Sequence, residues 1–483
     1  MKIVYVNGPY RQRGYSRSSR SPAVTKSGTL YYPIGLAYAA GLARRETDFD
    51  IELVDAVALK MDRAGLAAKV QELGPDLIIC ETSTPSIYED MATARALKEG
   101  RPGRRVVLVG THATARAEEV LEKEPLIDAV ALGEYDETVM ELGRALEEGR
   151  SWETVAGICF LREGEAVRTA ERDLIDDLDR FGFVSQVYRE CVRVEDYFFA
   201  AAQYPMVMLV TSRGCPHRCG WCVYPQVMHR GKYRARSAAN VAAEFAYITE
   251  QMPEIREVGI EDDLFTADKK RLQEICHLLM GQKNRLNFWC DTRVDLDYKT
   301  MRLMKQAGCR LLIAGFESAD QGILDGINKG TRVEQAYTFM EEARRAGLLV
   351  HGCFVLGNPG ETIGSMQATL EFAKELNPDT AQFFPMMVYP GTRMYAWAKE
   401  NGFLRTEDYR EWLDEEGLHQ SVVDLPGLSG ADVVRFCAYA RRQFYLRKGY
   451  LFKKLVQSLI NIHEAQRNVK ALRRFAQFLV KTS

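Results

Sequence analysis

The stretch MVMLVTSRGCPHRCGWC, residues 206–222, joins an apolar run to three cysteines spaced four and then three residues apart. The run at 206–210 has the makeup of a strand buried on both faces, so Cys215, Cys219 and Cys222 stand on the loop leaving its carboxyl end. A structural zinc site wants four ligands, commonly as two pairs, and neither a second CxxC nor an HxxxH lies nearby. His217, between two of the cysteines, reads as a loop residue, and His229 follows after the motif. A 4Fe–4S cluster, by contrast, can be held by three thiolates with one iron open to a reacting ligand. The cysteine spacing therefore points to an open iron–sulfur cluster.

Downstream, five further β-rich runs alternate with helical patterns: EVGIED, NFWCDT, LLIAGFE, HGCFVLG and TAQFFPMMV. Six strand and helix units are too few for an eight-unit barrel and predict an open, partial one over 205–403, with its chemistry at the strand carboxyl ends. Polar residues collect there. Glu261, Asp262 and Asp263 end the second strand, Asp291 and Arg293 the third, Glu317 the fourth, Asn358 with Gly360 and Glu361 the fifth, and Tyr389 the sixth.

Upstream, residues 1–149 alternate in the same way, with strands at KIVYVNG, FDIELVDA, DLIICET, RVVLVGT and AVALGE. They predict an α/β, doubly wound, Rossmann-like domain whose ligand sits outside the strand carboxyl ends. No GxGxxG follows the first strand, which argues against a dinucleotide. Residues 150–204, with a hairpin-like GICFLREGEAVRT, read as a connector, and 404–483 as a helical C-terminal region. Hydrophobic residues at 46 %, charged residues at 27 % and a net charge of -2 fit a multidomain globular chain without the basic excess of a nucleic-acid binder. The eleven cysteines are mostly scattered through apolar runs as reduced core thiols, and no apolar run reaches the roughly 18 residues of a spanning helix, so a cytoplasmic location is expected.

CPHRCGWC, its place after a first strand and the six-unit barrel together resemble the radical S-adenosylmethionine (SAM) superfamily. The resemblance implies that Cys215, Cys219 and Cys222 hold a 4Fe–4S cluster whose open iron binds the methionine part of SAM. Reductive cleavage then gives a 5'-deoxyadenosyl radical that takes hydrogen from an unactivated carbon. By the same resemblance Glu261, Asp262 and Asp263 hold the methionine amino group, although three adjacent carboxylates also make a capping or solvated cluster. Trp221 stands beside the adenine or simply packs, and Arg293 and Glu317 match positions that hold the ribose or the methionine carboxylate. Gly357 and Asn358 open a turn, GNPGET, that either lets backbone approach the adenine or is a plain turn.

With the five-stranded domain in front, residues 1 to about 450 resemble the cobalamin-binding-domain class of that superfamily, on YYPIGLAYAAGL, PDLIICETST, VVLVGTHAT, IDAVALGEYDET and VYPGT. Members of the class methylate unactivated carbon or phosphorus, form the extra ring of bacteriochlorophyll and act on hopanoid lipids. The resemblance implies cobalamin walled by Ser83, Thr84, Gly110, Thr111 and Gly133, with His112 either near the corrin or packed in its loop. VDAVALK departs from the class's DxHxxG by placing Val57 where the axial histidine would stand, which implies cobalt without a protein ligand on its lower face. VGT at 109–111 also replaces a more usual glycine pair. The expected activity is cobalamin-dependent methylation, or a related radical transformation, of a small-molecule or lipid-like substrate, with an external donor such as flavodoxin or ferredoxin. A cobalamin-free dehydration, deoxygenation or ring formation, on a sugar for example, is the alternative, and a cluster-containing electron carrier the third reading.

Two basic stretches remain. Residues 10–32, YRQRGYSRSSRSPAVTKSGTLYY, hold Arg11, Arg13, Arg17, Arg20 and Lys26 and no acid, and predict a lid over the cofactor or an anionic substrate, against a mobile solvated loop. Residues 431–483 carry twelve Lys and Arg against two Asp and Glu, which suits an amphipathic helical cap or, alternatively, peripheral contact with an anionic membrane or lipid-like substrate.

Overall fold

The computed structural model describes residues 1–460 apart from residue 102. Strands β1 (Lys2–Asn7), β2 (Asp50–Asp55), β3 (Leu77–Thr82), β4 (Arg105–Gly110) and β5 (Ala129–Ala131) form a parallel sheet in the order 2-1-3-4-5. Helices α1 (Ile34–Glu46), α2 (Arg63–Leu73), α3 (Ile87–Glu99) and α4 (Asp136–Glu147) pack in two pairs, α1 with α4 and α2 with α3. Right-handed crossovers place one pair on each face, which is why β3 is buried along its whole length. The strand order reverses between β1 and β3, the switch point at which such a sheet binds its ligand.

The sheet does not end at residue 149. Hairpin strands β6 (Ile158–Arg162) and β7 (Glu165–Arg168) add to β5 antiparallel, giving seven strands in all. The segment expected to be a connector therefore completes the N-terminal sheet. Ile158, Cys159 and Phe160 are buried and need that partner, while β5 gains cover for an edge that would otherwise offer unpaired backbone.

The second sheet holds β8 (Met206–Leu209), β9 (Glu257–Ile260), β10 (Asn287–Thr292), β11 (Cys309–Gly315), β12 (Leu349–Leu356) and β13 (Thr380–Pro385), all parallel and in chain order. The barrel is open between β8 and β13. Helix α5 (Gly430–Tyr445) lies along β13, where the Tyr445 hydroxyl donates to Ala381 O at 2.8 Å and accepts from Ala381 N at 2.9 Å. Among the described residues that helix, α6 (Lys448–Ile460) and a short 3-10 turn at Tyr409–Trp412 represent the expected helical C-terminal region. Apart from Tyr409–Trp412, residues 404–429 form bridged turns, joining Leu404 to Val423 and Leu413 to His419, where Gly402, Gly417, Pro426 and Gly427 interrupt helical periodicity. The basic residues expected at 461–483 lie outside the described residues.

Polar locks hold the sheets together. Tyr38 on α1 donates to Val210 O at 2.7 Å and accepts from Val210 N at 2.9 Å. Arg213 grips both oxygens of Asp136 at the start of α4, at 2.7 and 3.1 Å. Such charge-assisted forks fix orientation as well as distance, so the loop after β8 is referenced to the N-terminal sheet.

Candidate active site

The β8 strand ends at Leu209, a short ribbon pairing Ser212 and Arg213 with Arg234 and Ala235 follows, and the loop that then carries the cysteines is held from several directions. Gln226 Nε2 donates to the carbonyls of Cys219, Gly220 and Cys222 at 3.3, 3.1 and 2.7 Å. Gly214, at φ +80°, has Lys232 O 2.1 Å from the place a Cβ would take, so only glycine fits before Cys215. All three cysteines line one cavity of about 1600 Å³. The Cys222 thiol donates toward Cys219, which draws Cys219 down toward the thiolate and pushes Cys222 up, while burial raises Cys215 to about 11. Among the described residues no three His, Cys, Asp or Glu groups are arranged to hold a single metal ion. A polynuclear cluster asks for something different, one thiolate at each of three irons.

The acidic end of β9 divides between two environments. Glu261 and Asp263 face the cavity. Asp262 is fully buried outside it, where its carboxylate accepts from Thr211 N at 2.5 Å, Thr211 Oγ1 at 2.6 Å and Ser212 Oγ at 2.6 Å. The expectation that Asp262 meets SAM is therefore corrected: its acceptors are committed to the loop that leaves β8. Asp263 takes the Gly214 N–H at 2.9 Å and lies 3.6 Å from His229, whose Nδ1 is 2.6 Å from Glu134. Burial, and then the neighbouring Asp291, push Glu261 upward, and burial does the same to Asp291. Arg20 bridges the two carboxylates, at 2.9 Å from Asp291 and 3.6 Å from Glu261, and also donates to Asp262 O.

Trp221, Arg293 and Glu317 line the same cavity. Arg293 is anchored by donating to Lys329 O at 2.8 Å and Gly330 O at 3.0 Å. Glu317 adopts φ +65°, a strained position for a non-glycine residue, and accepts from buried Lys329 at 2.6 Å. The sequence gives little sign of Lys329 beyond the two glycines that flank it in GINKG. Buried Trp221 Nε1 and Glu317 Oε2 have no hydrogen-bond partner, a donor and an acceptor left for a ligand. Gly357 and Asn358 are corrected. Neither lines the cavity, because Val433 of α5 lies within 3.1 Å of a Cβ built on Gly357, and Asn358 is fully buried on Val355 O and Glu361.

At the switch point the N-terminal wall residues are largely engaged with the chain itself. Ser83 Oγ is 2.7 Å from the Tyr15 hydroxyl, and Thr84 Oγ1 is 3.2 Å from His112 Nδ1. His112 is buried in the short helix Thr111–Ala115 rather than in a loop, edge-on to Tyr409 at 4.6 Å, and burial takes it down to about 3. Gly133 N donates to Thr114 Oγ1 at 3.1 Å. Asp55 caps its own turn through Val57 N and Ala58 N, with Val57 buried beside it. Gly110 and Thr111 of the expected wall line a cavity of about 110 Å³ between the sheets, which shares Arg20, Tyr224, Glu261 and Asp263 with the large one.

Three of the four arginines of 10–32 are not free for an anionic substrate as expected: Arg11 pairs with Glu89 at 2.6 Å, Arg17 with Asp90 at 2.5 Å and Arg20 with Asp291, while Arg13 is exposed.

Against known proteins, the model of the Radical SAM superfamily matches residues 209–373 and that of the B12 binding domain residues 20–143. The chain is 29 % identical to an uncharacterized methyltransferase of Pyrococcus horikoshii, over 90 % of this chain and 95 % of that one. It is 27 % identical to the anaerobic magnesium-protoporphyrin IX monomethyl ester cyclase of Rubrivivax gelatinosus, over 82 % of this chain and 69 % of the other. Its fold matches that of the radical SAM methyltransferase TsrM of Kitasatospora setae, solved with tryptophan and a SAM analogue, at a TM-score of 0.69 and 19 % identity, covering 90 % and 88 % of the two chains. The chain thus carries a radical SAM domain behind a B12-binding domain, and the proteins it resembles include radical SAM methyltransferases. It is an enzyme of a small-molecule substrate, and its two domains support a 4Fe–4S cluster, SAM and cobalamin as cofactors. No described helix is long and apolar enough to cross a membrane.

The residues present fit the first two of these groups. Three thiols on a braced loop, a cationic-ligand wall at Glu261 and Asp263, and unpaired polar atoms at Trp221 and Glu317 suit a cluster and SAM. A corrin does not fit the arrangement described, since a 110 Å³ space falls well short of the roughly 300 to 1,000 Å³ of ordinary ligand sites.

Proposed function

We propose that Cys215, Cys219 and Cys222 hold the cluster, that Glu261 and Asp263 receive the ammonium of SAM, and that the enzyme carries out methyl transfer, or a related radical transformation, at an unactivated carbon. The observation that carries this reading is the meeting of the three thiols and the two carboxylates in one cavity of about 1600 Å³. When bound, a reduced 4Fe–4S cluster supplies the electron that cleaves SAM to a 5'-deoxyadenosyl radical. The chain's own residues supply placement. Asp263 ties the acidic strand end to Gly214, next to Cys215, so that SAM and the cluster loop are set by one carboxylate. Lys329 holds Glu317 in its strained position and leaves Oε2 for a ligand hydroxyl or amine. Phe199, stacked on Trp289 at 4.6 Å, and Phe383 and Phe384 give the cavity an apolar wall that suits a large, mainly apolar substrate and keeps water from the reacting carbon.

An external one-electron donor of the flavodoxin or ferredoxin kind completes the proposal, and a cytoplasmic location agrees with it. A second reading keeps the barrel chemistry and dispenses with cobalamin, giving a dehydration, deoxygenation or ring formation; the closed strand ends at Ser83 and Thr84 favour it. The test is anaerobic reconstitution with iron and sulfide, with and without hydroxocobalamin, followed by dithionite, SAM and analysis for 5'-deoxyadenosine. Formation of 5'-deoxyadenosine is expected in both arms. Its absence from protein carrying a full cluster would overturn the proposal, and retention of cobalamin separates the two readings.

A further inference from the structure

Segment 10–32 leaves β1 at the switch point and crosses both places where a cofactor is expected. Its first half covers the N-terminal strand ends. The Tyr15 hydroxyl reaches Ser83, and buried Arg17 donates to Asn7 Oδ1, to Gly8 O at 2.8 Å and to Asp90. Ser18 donates to both oxygens of Glu81, at 3.1 and 3.2 Å. Two residues further on, Arg20 enters the barrel mouth and lies on Asp291 and Glu261, more than 240 residues away in the chain. One guanidinium thus sits on Asp291 and on one of the two carboxylates proposed for SAM, Glu261, while a tyrosine and an arginine of the same segment fill the ground outside β1 and β3.

The charges make Arg20 a stand-in rather than a bystander. SAM carries an ammonium, a sulfonium and a carboxylate, a net charge of one, as Arg20 does. Exchange of one for the other leaves the charge facing Glu261, Asp263 and Asp291 unchanged, whereas binding SAM beside Arg20 brings two cations together in a low-dielectric pocket. We infer that segment 10–32 is a plug that occupies both cofactor sites at once, with Arg20 in the place of the SAM ammonium and Tyr15 and Arg17 in the ground a corrin requires, so that SAM and cobalamin load with positive coupling. The inference rests on the reading that Glu261 and Asp263 receive SAM. Coupling follows because withdrawal of one short segment, costed once, opens both sites, and by linkage each cofactor favours the other by the same factor.

The experiment uses full-length, cluster-reconstituted protein under anaerobic conditions, with SAM affinity read by equilibrium dialysis and the segment by tryptic cleavage at its arginines. Arg20→Gln is expected to bind SAM at least about fivefold tighter than the parent, the lower end of ordinary coupling, and Arg20→Lys to stay near the parent. Hydroxocobalamin is expected to tighten SAM binding by a similar factor in the parent and by less in Arg20→Gln, and SAM alone to speed cleavage within 10–32. Unchanged or weaker SAM binding in Arg20→Gln, with a clear loss in Glu261→Gln, overturns the plug and leaves the SAM site standing. No change in either variant overturns the SAM placement and the plug with it. Slower or unchanged cleavage of the parent on adding SAM also overturns the plug, and needs no variant to fold.

Discussion

Replacement of Asp262 separates the two roles that an acid at this strand end can have. In the structure its carboxylate accepts three hydrogen bonds, from Thr211 N, Thr211 Oγ1 and Ser212 Oγ, in a fully buried place behind the cavity wall. Asp262→Ala strands those three donors, and since an unsatisfied buried donor costs about 1–3 kcal/mol while hydroxyls can turn to other partners, the expected loss is about 3–5 kcal/mol of barrel stability. Asp262→Asn is milder. Its carbonyl can still accept from Thr211 N, and its amide can donate to the two hydroxyls once they rotate, so the loss is the charge-assisted part, about 1–2 kcal/mol. The assay is urea unfolding of the reconstituted protein followed by tryptophan emission, with SAM affinity measured on the same samples. Both variants should lose stability in the order Ala over Asn, and Asp262→Asn should keep SAM affinity within about threefold, since no lost contact faces the cavity. A tenfold or greater loss of SAM affinity in Asp262→Asn with an unchanged unfolding midpoint would refute the reasoning and return Asp262 to the cofactor.

Replacing Cys215, Cys219 and Cys222 together by Ala should remove the cluster iron, about four per chain, while the N-terminal sheet stays folded; iron retained at that level would show that other ligands hold it. Burial pushes Glu81 up to about 7 from the usual 4.5. The folded state therefore binds its proton more tightly, and its stability is fully present below about pH 4.5 and declines as pH rises to about 7; Glu81→Gln should gain up to about 3 kcal/mol over the parent near pH 8 and nothing near pH 4, and an equal gain at both would sink the assignment. Gly110 sits at φ +109° with Thr82 O 2.4 Å from the place of a Cβ, so Gly110→Ala should cost more than about 2 kcal/mol and shift the N-terminal transition in calorimetry, and a neutral result would contradict the backbone geometry. Because Val57 stands where an axial histidine would, hydroxocobalamin taken up and reduced to Co(II) should show no hyperfine splitting from a histidine nitrogen in electron paramagnetic resonance, and a nitrogen-split signal would disprove it.

The parts legible in the sequence are those written locally. The strands of both sheets are apolar runs bounded by polar ends, and CPHRCGWC carries its own spacing, so the doubly wound sheet, the six-stranded barrel and the cysteine loop could all be placed from residues near one another. The division of the acidic triplet was also within reach, because extended backbone sends alternate side chains to opposite faces: 261 and 263 fall on one side and 262 on the other. Long-range packing is what the sequence hides. Nothing near GNPGET announces that Val433, more than 70 residues later, covers Gly357. The hairpin at 158–168 looked like a connector because its partner, β5, is three residues long and gives little sign of needing an edge.

The arginine-rich segment shows the same limit in its sharpest form, and explains why its expected role changed. Five cations without an acid read as a surface offering itself to an external anion, since composition counts only charges that are near in sequence. Folding brings the missing anions from elsewhere: Glu89 and Asp90 from α3, Glu261 from just past β9 and Asp291 from β10. Burying Arg17 is tolerable only because Asp90 and two further oxygens meet it, and burying Asp291 beside Glu261 is tolerable only because Arg20 lies between them. The two sets of partners therefore require one another. Removing Arg20 alone leaves like charges facing each other in the barrel mouth, and that surplus is relieved by the cation SAM brings.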